Sequence, residues 1–122
     1  MFAAEYSDEL RHSSAWKADY EGETKKLLAS WSQLYSQGGP LRFYRSVGCA
    51  KCNNSGYKGR VGLHELLIAD DGIKKLIQER ARVAEIFAAA VEGGMRTLKM
   101  DGMEKIMMGL TDLKMVRSVC IK

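Results

Sequence analysis

Apolar residues recur at helical spacing in five parts of the chain. Between Glu23 and Tyr35 they occupy positions 27, 28, 31, 34 and 35, one face of a helix that the Gly38-Gly39-Pro40 turn ends. Three further stripes lie at residues 73–77, 83–91 and 98–110, and a last helix carries apolar residues at 113, 116 and 120. The chain after Asp70-Asp71 is therefore predicted to be helical.

Two segments between these helices alternate in the manner of strands. Leu41–Val47 mixes aromatic, apolar and basic residues, and Arg60–Ile68 is apolar enough to be covered on one face. A loop rich in turn formers, residues 48–56, separates them. These patterns predict an α+β fold that is mostly α. A small β-hairpin and loop subdomain with one helix (residues 1–68) precedes a helical subdomain of three to four helices (residues 69–122).

Helix-end signals mark the boundaries in the second half. Asp70 and Asp71 form an N-cap pair, and Thr111 is the predicted N-cap of the last helix. Glycines at positions 93, 94 and 109 are expected to end the two preceding helices. Six methionines between residues 95 and 115 occur mostly at helical spacing, which favours a place in the core.

The composition is that of a globular protein. Of 122 residues, 46% are hydrophobic, 28% are charged and one is proline. No apolar run approaches the ~18 residues of a membrane span, and three cysteines favour a reducing, cytoplasmic compartment over a disulfide framework. The net charge of +4 comes from bases scattered among acids, which indicates a solvated surface, and no nucleic-acid partner is expected.

The most specific motif is GCAKCNNSGYKGR at residues 48–60, whose CxxC spacing suits two ligands of a zinc ion. A structural site needs four ligands, and outside this pair the chain offers only Cys120, His12 and His64 as sulfur or nitrogen ligands. A metal-free loop is therefore expected, with no cofactor. A thioredoxin-type redox pair would open a helix after a strand, whereas asparagine and glycine follow this one.

No catalytic constellation stands out. The string GxxxxGK[ST] of a phosphate-binding loop does not occur, so the chain alone is not expected to hydrolyse nucleotide. His64 and Glu65 are adjacent, and on a strand their side chains would point to opposite faces. Packing, or a pair with a neighbouring element, explains His64 better than catalysis.

Taken together, GCAKCNNSGYKGRVGLHELL, IKKLI and GGMRTLKMDGMEKIMMGLTDLKMV resemble the C-terminal end of the GspE/PilB family, the traffic ATPases of type II secretion and type IV pilus assembly. The resemblance runs from about Leu41 to Val119. It marks a set of structural or interface residues: Gly56, Tyr57, Gly59, Arg60, His64, Glu65, Gly94, Met95, Asp101, Gly102, Gly109 and Thr111.

Two departures from the family pattern concern the cysteines and the last helix. Members usually carry an earlier CxxC that completes a zinc site with the pair matching Cys49 and Cys52; here Ser13 and Trp16 stand at the corresponding positions. Zinc binding is therefore not expected by this comparison. The last helix carries Lys114-Met115 where the family tends to have an acidic residue.

The resemblance implies a C-terminal accessory domain that supports the packing and coupling of a hexameric motor. ATP and Mg²⁺ would belong to the parent ATPase, whose core lies upstream. The implied partners are that core and the inner-membrane platform proteins, at the cytoplasmic face of the inner membrane. The alternative is a free-standing basic helical module that binds nucleic acid or a protein.

Overall fold

The computed structural model describes residues 2–11, 13–36 and 39–120, and this part of the chain is mostly helical. The helices are α1 (Phe2–Leu10), α2 (Ser14–Ala18), α3 (Tyr20–Tyr35), α4 (Asp71–Gln78), α5 (Val83–Glu92), α6 (Leu98–Met107) and α7 (Leu113–Val119). The predicted helices from α3 onward are confirmed. Gly38, part of the predicted turn after α3, lies outside the described residues.

Helix α6 is the centre of the core. It packs against α1 and α7, and α1 also packs against α3. Met100 and Met103 are fully buried, and the methionine side chains fill the space between helices because they are long and flexible. The other core residues are Ala3, Tyr6, Leu10, Trp31, Val91, Ile106, Met107 and Val116.

One aromatic contact joins α1 to α3 within this core. The rings of Tyr6 and Trp31 meet edge to face with centroids 5.2 Å apart, a favourable arrangement for aromatic pairs. The Tyr6 hydroxyl donates a hydrogen bond to Glu104 at 3.0 Å. Burial, followed by the nearby Glu104 carboxylate, raises the pKa of Tyr6. Residues from both sides of position 68 share this core, and the division of the chain there stays a prediction.

The predicted ends of the central helices are largely confirmed. Asp70 caps α4 by accepting the N–H of Ile73 at 2.9 Å. Gly94 and Gly109 have φ of 105° and 79° and follow α5 and α6. Leu110, which the pattern places on the apolar stripe of α6, lies beyond the helix end and is 58% exposed.

The expected β-hairpin is wrong for the described residues, which contain no strand. Residues 41–47 and 60–68 are irregular, and no backbone hydrogen bonds pair them with each other. An alternating pattern forms a strand only when a second strand supplies those bonds. Leu66 and Ile68 are 70% and 73% exposed, so the apolar residues of this segment lack the cover that the pattern predicted.

No helix in the described ranges is long and apolar enough to cross a membrane.

Candidate functional site

The N-terminal end of α6 brings two sequence motifs together. Thr97 is the N-cap, and its buried hydroxyl accepts the N–H of Met100 at 3.2 Å. A second free amide of the first turn, that of Leu98, donates to Glu65 at 2.7 Å. Because the first-turn amides of a helix have no partner inside the helix, both acceptors stabilise α6. Glu65 thereby ties the irregular segment 60–68 to α6, 33 residues further along the chain.

Asp101 makes the reciprocal contact one turn into α6. Its carboxylate accepts the backbone N–H of His64 at 2.9 Å and the ammonium of Lys105 at 2.8 Å. Desolvation by itself would raise the pKa of Asp101, but these two donors outweigh it and lower the pKa. Each segment thus supplies one carboxylate to the other: Asp101 of α6 accepts the N–H of His64, and Glu65 accepts the N–H of Leu98.

The His64 contact is made by its backbone and not by its imidazole. The residue is exposed, and its ring lies against the backbone at Gly62, where an added Cβ would come within 2.9 Å of Nε2. The expectation that the His64 side chain packs or pairs with a neighbouring element stays a prediction, since the contact with α6 is made by the amide. We name the set of His64, Glu65, Thr97, Leu98 and Asp101 the motif junction.

Gly102 allows α6 and α7 to approach closely beside the motif junction. An added Cβ would lie 2.6 Å from Cγ1 of Val116 and 3.3 Å from Cδ1 of Leu63. Both distances are shorter than ordinary van der Waals contact, so a side chain at position 102 would push the neighbouring groups away.

A second polar contact links the cysteine-containing loop to α7. The Tyr57 hydroxyl donates to Asp112 at 2.5 Å and accepts a bond from the Ser46 hydroxyl at 3.2 Å. Asp112 is also the N-cap of α7, since its other oxygen accepts the N–H of Met115 at 2.9 Å. The prediction that Thr111 caps this helix is therefore wrong: the aspartate one residue later has the carboxylate that reaches the amide.

The remaining motif residues shape the loop around Tyr57. Gly56 has φ of 84°, and a Cβ there would lie 2.5 Å from the Cβ of Ser46, so only glycine fits. Gly59 also has a positive φ, of 73°, and Arg60 is exposed. Met95, after the end of α5, packs half-buried against the core.

The two loop cysteines face each other across one 3₁₀ turn, Ala50–Cys52. The Cys49 and Cys52 sulfurs are 3.7 Å apart. Backbone N–H groups of Gly56 and Cys49 each donate to the Cys52 sulfur at 3.2 Å. The Gly56 N–H, followed by that of Cys49, lowers the pKa of Cys52 to about 7 because both donors favour the thiolate.

The described residues do not assemble a four-ligand zinc site within one chain. Ser13 is buried, and Trp16 is half-buried against the core; neither supplies a thiolate. Within residues 2–11, 13–36 and 39–120, no three His, Cys, Asp or Glu side chains come together as metal ligands would. His12 lies outside the described residues.

These contacts define a small helical protein in which the motif residues hold separate segments together. Comparison of its sequence with known families shows to which class of protein it belongs. The family model described as "Type II/IV secretion system protein" matches residues 19–118. The chain therefore belongs to this family.

Curated relatives include ATPases of both secretion and pilus systems. The chain is 39% identical over 105 residues to the type II secretion system ATPase E of Vibrio cholerae, covering 84% of this chain and 20% of the relative. It is 43% identical over 75 residues to the type IV pilus assembly ATPase PilB of Thermus thermophilus, covering 62% and 8%. It is 40% identical over 94 residues to the type II secretion system protein HxcR of Pseudomonas aeruginosa, covering 77% and 19%. The chain thus spans a fifth or less of the length of these relatives.

Proposed function

We propose that this chain is the C-terminal accessory domain of a type II secretion or type IV pilus assembly ATPase. In this role it supports the packing of a hexameric motor and couples its movements, without hydrolysing ATP itself. ATP and Mg²⁺ are then bound by the ATPase core, since the chain carries no phosphate-binding loop sequence. The proposed location is the cytoplasmic face of the inner membrane, beside the platform proteins of the secretion or pilus machine.

The observation that carries the proposal is the motif junction. Its carboxylates, Glu65 and Asp101, bond backbone amides across 33 and 37 residues of sequence. Backbone amides bonded in this way fix the position of an element without providing a reaction centre. The motif residues of this chain therefore suit a mechanical part better than an active site.

An exposed apolar segment lies directly beside the motif junction and supplies the proposed contact with the core. Leu66, Leu67 and Ile68 follow Glu65 and are 70%, 45% and 73% exposed. Three consecutive apolar side chains in water favour burial against a partner. The relatives above are at least five times longer than the part this chain matches, and we infer that their ATPase core is what covers this segment.

The experiment measures ATP hydrolysis and ring size for the polypeptide that joins this chain to its ATPase core. Leu66→Asp is compared with Leu34→Asp, a control of similar exposure at 66% on α3. We expect the Leu66 variant, like deletion of residues 1–122, to lower the hydrolysis rate at least tenfold and to weaken the hexamer. The Leu34 variant should stay within twofold of the parent.

The proposal would be contradicted if the Leu66 and Leu34 variants had equal hydrolysis rates and ring sizes and the deletion changed neither quantity. The free-standing basic module would then be tested by binding to duplex DNA. Binding that weakens steeply with salt would support that alternative.

A further inference from the structure

The Cys49–Cys52 pair has a use that the proposed accessory role does not require. We propose that these two residues form a reversible dithiol–disulfide site that exchanges with small-molecule disulfides of the glutathione class. The inference concerns only the cysteine-containing loop and stands whether or not the chain serves a secretion ATPase.

The backbone already holds the pair at a distance suitable for a disulfide. The Cys52 N–H donates to the Cys49 carbonyl at 3.3 Å, which closes a turn of four residues. Such a turn keeps its first and last Cα atoms within about 7 Å, close to the upper limit for a disulfide. The sulfurs are 3.7 Å apart and need to approach by about 1.7 Å to bond. Rotation of the exposed Cys49 side chain supplies most of that movement.

The surroundings of the two sulfurs differ in a way that suits exchange. Cys49 is exposed and open to a reagent from solution, whereas Cys52 is half-buried. The N–H groups of Cys49 and Gly56 point at the Cys52 sulfur and stabilise its thiolate. This is a loop site, unlike the helix start of thioredoxin-like proteins, but exchange requires only an accessible thiol and a nearby thiolate.

The exchange has two balanced steps. The Cys49 thiol loses its proton to water, and its thiolate attacks one sulfur of oxidised glutathione. The glutathione S–S bond breaks, and the first glutathione leaves as a thiolate that takes up a proton. The Cys52 thiol loses its proton to water as well, and its thiolate attacks the Cys49 sulfur of the mixed disulfide and releases the second glutathione, which is protonated in turn. Two protein thiols are oxidised and one glutathione disulfide is reduced; reduced glutathione reverses both steps.

Cys120 provides an internal reference. It follows α7, is half-buried, and burial raises the pKa of its thiol. A raised pKa and restricted access both slow exchange. Of the three cysteines, Cys120 is therefore the one expected to stay reduced.

The test equilibrates the full 122-residue chain in buffers of defined oxidised-to-reduced glutathione ratio. A metal chelator is present, because cysteine pairs from two molecules could share a zinc ion. Acid quenching, alkylation and peptide mass spectrometry then count free thiols. We expect the count to fall from three to one in oxidising buffer, with a Cys49–Cys52 disulfide, and to recover in reducing buffer. Retention of all three thiols in excess oxidised glutathione would overturn the proposal.

Two serine variants make the test specific. Cys52→Ser should accumulate a Cys49–glutathione adduct at least tenfold above the wild-type level, because the resolving thiolate is gone. Cys120→Ser should form the pair within twofold of the wild-type extent. No adduct in the first variant, or loss of the pair in the second, would overturn the assignment. Circular dichroism checks that both variants keep their helices.

Discussion

Replacement of Gly102 by alanine tests the packing of α6 against α7. The new Cβ would lie 2.6 Å and 3.0 Å from the two methyl carbons of Val116. Val116 is only 2% exposed, and its branched side chain has one strongly preferred rotamer in a helix, so it has little room to move aside. Gly102→Ala should therefore force α6 and α7 apart.

Two opposing terms set the size of the effect. Alanine in a helix interior is more stable than glycine by about 1 kcal/mol. Overpacking a tight core costs about 1–3 kcal/mol. Gly102→Ala alone should therefore lower the free energy of unfolding by 0 to about 2 kcal/mol. In a Val116→Ala background the methyls are absent, leaving mainly the Leu63 side-chain end at 3.3 Å. There the same change should raise the free energy of unfolding by about 1 kcal/mol.

The assay is urea unfolding of the four proteins of this double-mutant cycle, followed by tryptophan fluorescence and circular dichroism. The expected coupling energy between positions 102 and 116 is about 1–3 kcal/mol, with a change of sign between backgrounds. Gly72→Ala is the matched control, since a Cβ at that helical glycine meets only an Asp70 oxygen at 3.4 Å. A coupling energy below about 0.5 kcal/mol would refute the steric argument.

Three further predictions concern the motif junction and the core. Glu65→Ala removes the acceptor of the Leu98 N–H and should cost about 1 kcal/mol in urea unfolding, whereas Glu65→Gln should recover part of the loss. The lowered pKa of Asp101 stabilises the fold above its unfolded pKa of about 3.9, and this contribution is lost as the pH falls through the folded pKa. Asp101→Asn should therefore flatten the stability profile below about pH 4; an unchanged acid slope would contradict this. Met103→Ala, at a fully buried site, should cost about 2–5 kcal/mol, and a loss under 1 kcal/mol would mean that the site collapses or opens to water.

Helical periodicity was sufficient to predict the helices that follow residue 69. The stripes over 73–77, 83–91 and 98–110 correspond to α4, α5 and α6, with Leu110 beyond the end of α6, because each presents an apolar face at helical spacing. Helix α1 was missed although Ala3, Tyr6 and Leu10 are spaced by three and four and all three are buried. These three residues form a narrow apolar stripe among mostly polar residues, which is too weak a pattern to predict a helix. The stripe is buried because α1 packs against α6.

The alternation over residues 41–47 and 60–68 led to the wrong expectation because a strand depends on a partner that a local pattern does not contain. The contacts of the site residues likewise depend on parts of the chain that a local pattern does not contain. Glu65 and Asp101 were selected from their motifs, but their pairing with amides 33 and 37 residues away is tertiary. Thr111 and Asp112 are both residue types that cap helices. Which of the two is the N-cap depends on where the backbone of α7 begins, which the sequence pattern does not show.

The cysteine-containing loop and α7 are joined closely enough for one to report on the other. Gly56 donates its N–H to the Cys52 sulfur, and the next residue, Tyr57, bonds Asp112, which caps α7 through the N–H of Met115. Oxidation of the loop would turn the Cys52 thiolate into a disulfide sulfur, which is a weaker acceptor, and so weaken the first of these bonds.

We therefore expect the Met115 amide resonance to shift when the loop cysteines are oxidised, while amides of α4, whose main packing partner is α5, stay in place. Tyr57→Phe removes the hydroxyl that makes the 2.5 Å bond but keeps the ring, so in this variant the Met115 shift should shrink at least twofold. An equal shift in both proteins would mean that the loop reaches α7 by a route other than Tyr57. No shift in either protein would mean that oxidation of the loop does not affect α7. A movement of Asp112 would change the environment of the Met115 amide that it caps, and such a change would be detected.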